Sequence, residues 1–163
     1  MTVDAALFSS EQSDWNTPEE PLVCVRAVEP IGLDPCSNAT SIVCAAVEWT
    51  FERDGDSLQR DWTEGDGIVF VNPPYGRSIG EWVAKCQRTA MTGRNVVALL
   101  PARVDTKWFR YAWEADALCF WHGRLTFLGA NANAPFPSVF AYWGKRPYRF
   151  ADAFADAGRI VLP

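Results

Sequence analysis

The sequence of 163 residues lacks any long hydrophobic run, and this limits the classes of protein to which it can belong. No apolar stretch reaches the roughly 18 residues that a membrane-spanning helix needs. The segment from Met1 to Trp15 does not join a basic stretch to an apolar one, so it does not resemble a secretion signal. We therefore expect no membrane contact and a cytoplasmic location.

Ligands for a structural metal ion are also scarce. The chain has one histidine, and no two of its five cysteines have the Cys-x-x-Cys spacing of zinc sites. We expect no bound metal. An odd number of cysteines is typical of reduced thiols in a reducing compartment, which agrees with a cytoplasmic location.

The chain has fewer basic than acidic residues. Its formal net charge is −5 and its isoelectric point is about 4.9. This is unusual for a protein that binds nucleic acid, because contacts of basic residues with phosphates supply much of the affinity of such proteins. The charges are unevenly distributed along the chain. The segment from Gly76 to Arg110 contains seven basic residues and only two acidic ones, Glu81 and Asp105. This distribution permits one basic surface on an acidic protein, while the alternative is ordinary solvated charge.

Short apolar runs alternate with a stretch of helical periodicity. Ile68–Val71 and Asn95–Leu100 have the length and continuous apolar character of strands buried on both faces in a parallel sheet. Between them, apolar residues over Ile79–Thr92 recur at helical spacing until Gly93. This order predicts an α/β fold. We also expect strands over 31–33, 117–121 and 139–143, a short helix over 107–113, and a short or irregular helix beginning at Thr17, which can cap it.

Polar or turn-forming residues follow three of these predicted strands. Asp34 follows the first, Asn72 follows the strand at 68–71, and Pro101-Ala102-Arg103 ends the next. In open α/β sheets, ligands bind beyond the carboxyl ends of the strands. We therefore expect the three loops to converge on one crevice.

The sequence Asn72-Pro73-Pro74-Tyr75 directly after a buried strand suits methylation of an amino group on a base. The lone pair of the 6-amino nitrogen of adenine is delocalised into the ring, which makes this nitrogen a poor nucleophile. The side-chain oxygen of Asn72 and the carbonyl of Pro73 can accept its two hydrogens, which favours the transition state. The prolines stiffen the loop, and the ring of Tyr75 can stack on a flipped base. The alternative is an ordinary turn.

Several motifs in a fixed order resemble the small phage-type family of DNA adenine methyltransferases, a branch of the Rossmann-like methyltransferases that use S-adenosylmethionine. The resemblance runs from about Trp15 to Trp143. Its pieces are Trp15-Asn16-Thr17-Pro18, Leu33-Asp34-Pro35-Cys36, Asp56-Ser57-Leu58 with Asp61-Trp62, Val71 to Gly76, Leu100 to Phe109, Gly123 to Phe127 and Pro135-Phe136-Pro137-Ser138.

This resemblance implies a class I methyltransferase fold with a mostly parallel central sheet flanked by helices, and the activity of a DNA adenine N6-methyltransferase. It implies that Asn72 to Tyr75 form the catalytic loop. The residues that it assigns to S-adenosylmethionine are Trp15, Thr17, Pro18, Asp34, Pro35, Cys36 and Asn72, with Asp34 next to the positively charged amino group. Asp56 or Asp61 would meet the ribose. The loop after Asp34 has no glycine, unlike that of most such enzymes.

Four residues are candidates for contact with DNA: Arg77, Arg103, Lys107 and Trp108. The alternative is an ion pair of Arg103 with Asp105 and a purely structural Trp108. His122 is expected to be structural.

For the domain organisation we expect a flexible arm over 1–14, one methyltransferase domain over 15–150 and a C-terminal tail over 151–163. The chain is too short for a separate target-recognition domain, so recognition of the DNA sequence would come from a few loops or from a partner subunit, or would be minimal. A homodimer would widen the DNA surface. Two alternative functions remain open, which are methylation of RNA or of a protein amide, and a catalytically inactive relic that binds nucleic acid.

Overall fold

The computed structural model describes residues 15–163, which form one seven-stranded sheet with helices on both faces. The predicted arm over 1–14 lies outside the described residues. The elements in chain order are α1 (Glu19–Val28), β1 (Ile31–Asp34), β2 (Val47–Glu48), α2 (Phe51–Asp54), a 3₁₀ helix (Ser57–Gln59), β3 (Ile68–Val71), α3 (Ile79–Met91), β4 (Val96–Pro101), α4 (Phe109–Trp113), β5 (Ala117–Trp121), β6 (Ser138–Trp143), α5 (Pro147–Ala153) and β7 (Gly158–Val161).

The sheet has the strand order β2-β1-β3-β4-β6-β5-β7. The α/β class is confirmed, but the expectation of a mostly parallel sheet is wrong. The pairs β1–β2, β1–β3 and β3–β4 are parallel, whereas β4–β6, β5–β6 and β5–β7 are antiparallel. The physical reason is that β6 runs back between β4 and β5, which leaves β5 pointing in the same direction as β4.

Two apolar cores fill the space between the sheet and its helices. On one face, Val97 and Leu99 of β4 pack in a cluster with residues of α1 and with Phe150 and Phe154. On the other face, Ala98 of β4 packs in a cluster with residues of α3 and α4. Alternate residues of β4 therefore enter opposite cores, and all six of its residues are buried, as the continuous apolar run predicts.

The first helix differs from its prediction in length and in its cap. It spans ten residues, because Pro21 stands in the first turn, where its missing N–H would have no intrahelical partner. Pro18 is the N-cap, and no side chain caps the helix. The hydroxyl of Thr17 bonds elsewhere, so the helix lacks a contact that typically stabilises by about 1 kcal/mol.

The segment 151–163, which the sequence sets apart as a tail, takes part in the sheet and the core. Within it, β7 pairs antiparallel with β5, and Phe154 is fully buried against Phe140 and Phe150. The boundary predicted at residue 150 falls inside α5. Within residues 15–163, none of the helices combines the length and the apolar character that a membrane-spanning segment requires.

Candidate active site

Three strand ends meet at one edge of the sheet. β1, β3 and β4 are parallel neighbours, and their carboxyl ends carry Asp34, Asn72 and Pro101. The hydroxyl of Tyr75 donates to the carbonyl oxygen of Leu99 in β4 at 3.1 Å, and it lies close enough to Cys36 to interact electrostatically. The predicted convergence of the three loops is therefore observed.

The side chain of Asn72 is held by the segment before α1. Its Nδ2 atom donates to the carbonyl oxygen of Trp15 at 2.6 Å and to Oγ1 of Thr17 at 3.1 Å. A carbonyl oxygen can only accept, so the contact with Trp15 fixes which end of the amide is nitrogen. Both N–H groups of Asn72 are thus engaged, and its Oδ1 atom faces away from them.

Two hydrogen-bond acceptors remain available in this loop. No described residue donates to Oδ1 of Asn72 or to the carbonyl oxygen of Pro73. Asn72 is half-buried, Pro73 is buried and Pro74 is exposed. The side-chain oxygen of Asn72 and the carbonyl of Pro73 are therefore two neighbouring acceptors to which no described residue donates.

Tyr75 contributes a ring to this site and no titratable group. Burial raises the pKa of its hydroxyl above the ordinary value, and the hydroxyl donates to a backbone carbonyl. The ring is half-buried and meets the rings of Phe127 and Phe136 edge-on, at centroid distances of 6.4 Å and 5.5 Å. These contacts hold the aromatic face of Tyr75 in one orientation.

Trp15 joins the same aromatic cluster. Its ring stacks on Phe136 at 5.2 Å and meets Phe127 edge-on at 5.0 Å. These contacts fix the backbone of Trp15, and therefore the carbonyl that receives the Asn72 amide.

Asn16 links this segment to the loop after β1. Its amide donates to Oδ1 of Asn38 and to Oγ1 of Thr40, and it accepts a bond of 2.7 Å from Nδ2 of Asn38. Its backbone carbonyl accepts from the N–H of Leu128. The three residues 15–17 therefore touch the Asn72 loop, the loop after β1 and the connection between β5 and β6.

Asp34 is a buried carboxyl group with one hydrogen bond. It is 3% exposed, and its Oδ1 atom accepts from the N–H of Cys36 at 2.9 Å. Burial raises its pKa from 3.8 to about 7, the bond from Cys36 opposes the rise, and Glu48 adds to it. An acid in this state gains much from a cation placed beside it.

Sequence reasoning missed Glu48, which the structure brings to Asp34. The two residues are register partners at the ends of β1 and β2. β2 has only two residues, both half-buried, so no apolar run marks it in the sequence. The two residues predicted to meet the ribose, Asp56 and Asp61, are not part of this pair. The side chain of Asp56 caps the 3₁₀ helix by accepting from the N–H of Leu58, and Asp61 is exposed.

The loop after β1 also contains an unsatisfied hydroxyl. Oγ of Ser37 is buried and has no hydrogen-bond partner among the described residues. Pro35 beside it accepts a bond of 2.6 Å from Ser57. Burial raises the pKa of the Cys36 thiol well above its ordinary value, so that residue remains an uncharged thiol. Residues 15–163 contain no cluster of side chains that could hold a metal ion.

Three of the four predicted DNA contacts, Arg77, Arg103 and Lys107, lie on loops at the same edge of the sheet. Arg77 and Lys107, which follow β3 and β4, are exposed, whereas Arg103 is half-buried and lies 6.0 Å over the ring of Phe136. Trp108 is half-buried and lines a groove of about 610 Å³ along α3. Arg124, after β5, is a further exposed cation at this edge, and His122 beside it is exposed.

Comparison with known proteins identifies one family. The family model described as DNA N-6-adenine-methyltransferase (Dam) matches residues 5–141. No curated protein and no solved structure matches the chain.

Proposed function

Since the chain belongs to the DNA N-6-adenine-methyltransferase (Dam) family, we propose that it transfers a methyl group from S-adenosylmethionine to the 6-amino group of a flipped adenine held by the loop Asn72–Tyr75. The family gives the general activity, methylation of adenine N6 in DNA. The cofactor, the flipped base and the roles of individual residues are our proposal. A phage origin, a cytoplasmic location and a homodimer remain predictions.

The arrangement of the Asn72 amide is the observation that carries this proposal. Its two N–H groups are engaged by Trp15 and Thr17, so the atom left for a ligand is the acceptor Oδ1. The Pro73 carbonyl, on the next residue, is a second acceptor to which no described residue donates. Two acceptors match the two hydrogens of an exocyclic amine, and a carbonyl substrate would find no donor in them.

These acceptors help the amine to react. When both amine hydrogens are hydrogen-bonded, the nitrogen gains tetrahedral character and its lone pair becomes available for attack. Bound S-adenosylmethionine would supply the methyl group to this lone pair and leave as a neutral thioether, and the methylated nitrogen would release one proton to solvent. Since the pKa of the Tyr75 hydroxyl is raised, this group stays protonated, and it is not required as a base. The ring of Tyr75 supplies the stacking surface.

The loops after β1 and β2 fit S-adenosylmethionine, which supplies an activated methyl group on a sulfonium when bound. The buried carboxyl of Asp34 fits the cationic amino group of the methionine part. Glu48 beside it offers acceptors for hydroxyl groups. The orphaned hydroxyl of Ser37 is a further polar group that a ligand can satisfy, although the loop lacks glycine.

Arg77 and Lys107 are proposed to contact the phosphates beside the target adenine. Both are exposed, Arg77 directly after the Asn72 loop and Lys107 in the loop after β4. We propose the same for Arg103, whose guanidinium lies over Phe136, and we propose Trp108 as a contact for a base or sugar.

The test is transfer of a labelled methyl group from S-adenosylmethionine to unmethylated DNA, followed by digestion to nucleosides and mass spectrometry. We expect 6-methyladenine from the wild type and a loss of at least about a hundredfold in Asn72→Ala. A thermal melt of both proteins checks that the variant is folded. If the folded wild type methylates RNA or a protein amide and leaves DNA unmodified, the DNA proposal is wrong; if it binds DNA without any transfer, the chain is a relic.

A further inference from the structure

The hydroxyl of Thr17 is used in an unexpected way. A threonine just before a helix ordinarily caps it, and the family resemblance assigns this residue to the cofactor. In the structure the residue is 2% exposed, and its Oγ1 atom accepts from Nδ2 of Asn72 at 3.1 Å. Its contact is therefore with the catalytic loop.

We infer that Thr17 is a positioning residue for methyl transfer, which holds the Asn72 amide so that Oδ1 is directed at the target amine. This inference rests on the proposed function. An asparagine amide presents either its oxygen or its nitrogen when it rotates by half a turn, and only the oxygen can accept an amine hydrogen. Two acceptors at the nitrogen end, Trp15 and Thr17, select the useful orientation before substrate arrives.

The segment that carries these acceptors is itself held in place. The ring of Trp15 stacks on Phe136, and both the side chain and the carbonyl of Asn16 are hydrogen-bonded to other loops. A mobile segment would orient Asn72 poorly. These contacts make the segment a fixed support, as preorganised catalysis needs.

Of the two acceptors that hold the Asn72 amide, only the hydroxyl of Thr17 can be removed by substitution, because the Trp15 carbonyl belongs to the backbone. Thr17→Val keeps the size and branching of the side chain and removes the acceptor. Thr17→Ser keeps the acceptor and removes a methyl group. Thr89→Val is a matched control, because Thr89 is also buried but lies near the end of α3.

In steady-state kinetics with saturating S-adenosylmethionine, we expect Thr17→Val to lower kcat about tenfold. The dissociation constant of S-adenosylmethionine, measured by calorimetry, should change by less than about twofold. Thr17→Ser should recover most of the lost kcat, and Thr89→Val should match the wild type. A purely structural defect would not separate kcat from cofactor affinity in this way.

A second measurement needs no turnover. In ¹H–¹⁵N spectra of the free protein, the side-chain amide signals of Asn72 can be assigned by their loss in Asn72→Ala. We expect one of the two amide protons to move upfield in Thr17→Val, since it loses its acceptor, and to return in Thr17→Ser. A wild type without activity would overturn the proposed function and leave this measurement valid.

Two results would overturn the inference. One is an Asn72 amide spectrum that is the same in Thr17→Val and in the wild type. The other is a Thr17→Val protein that binds S-adenosylmethionine at least about tenfold more weakly while its kcat at saturation is unchanged, because the hydroxyl would then serve the cofactor.

Discussion

The substitution Asp34→Asn is expected to raise the free energy of unfolding of the cofactor-free protein. It is also expected to weaken cofactor binding, and both differences from the wild type should depend on pH. Asp34 is 3% exposed and its pKa is about 7, against 3.8 without burial. At neutral pH and above, the folded protein must keep a carboxylate in an apolar environment with one hydrogen bond. Asparagine has nearly the same shape and no charge, so it avoids this penalty.

The sign of the pH dependence follows from the raised pKa. Between about pH 4 and pH 7 the folded chain binds a proton at Asp34 that the unfolded chain has lost, so this group makes wild-type stability fall as the pH rises. One pH unit corresponds to about 1.4 kcal/mol, and the window from about pH 5 to pH 7 therefore corresponds to about 3 kcal/mol. The variant lacks this dependence.

Urea unfolding of the two proteins between about pH 5 and pH 8 measures this difference. The stability advantage of Asp34→Asn should grow by about 3 kcal/mol across the range, because the other titrating groups are common to both proteins. If the advantage is constant with pH, Asp34 is not protonated in the folded protein near neutral pH, and our account of its environment fails.

Cofactor binding should respond in the opposite sense. A cationic amino group beside Asp34 favours the ionised carboxyl, so wild-type affinity for S-adenosylmethionine should fall up to about tenfold per pH unit below pH 7. Asp34→Asn should bind weakly at every pH. In Glu48→Gln, the midpoint of the pH dependence of cofactor binding should lie at lower pH than in the wild type. The reason is that Glu48 helps to raise the pKa of Asp34. Calorimetry in two buffers would detect the released proton, and affinity independent of pH would contradict this role for Asp34.

Two further predictions concern the base and the DNA. Tyr75→Ala should lower kcat/KM by about ten- to a hundredfold because it removes the stacking face, whereas Tyr75→Phe, which loses only the bond to Leu99, should keep most of the activity and lose about 1 kcal/mol of stability; equal activity of the two variants would exclude stacking. Lys107→Ala should reduce the slope of log affinity for DNA against log salt by about one, while Lys145→Ala, an exposed lysine beside Asn95 at the opposite edge of the sheet, should leave the slope unchanged. Equal slopes for the two lysine variants would remove Lys107 from the DNA surface.

The sequence predicts the elements better than it predicts their arrangement. β3, β4 and α3 are marked by continuous apolar runs or by helical periodicity, so their positions could be read directly. The antiparallel insertion of β6 between β4 and β5 could not, since an apolar strand has the same pattern in either direction. β2 could not be found because a strand of two half-buried residues carries no pattern.

In the candidate site, the sequence predicts which residues are present but not how their side chains are oriented. Asn72 and Asp34 are located by their positions at predicted strand ends, and the structure places them at neighbouring ends. The orientation of Asn72 depends on Thr17, which is 55 residues away in the chain. Local rules assign this threonine to a helix cap, and they fail here because a tertiary contact uses the hydroxyl.

The acidic composition of the chain is compatible with a DNA substrate, because the loops around the site carry exposed cations as well as acidic groups. The carboxyl groups of Asp34 and Glu48 lie at the ends of β1 and β2, where we propose that a cationic cofactor binds. The exposed cations Arg77, Lys107 and Arg124 follow β3, β4 and β5, on the loops of the same edge. The local field that a phosphate meets depends on those loops, since charges more than about 10 Å away are largely screened in salt. A net charge of −5 is therefore a poor guide to the surface that faces the substrate.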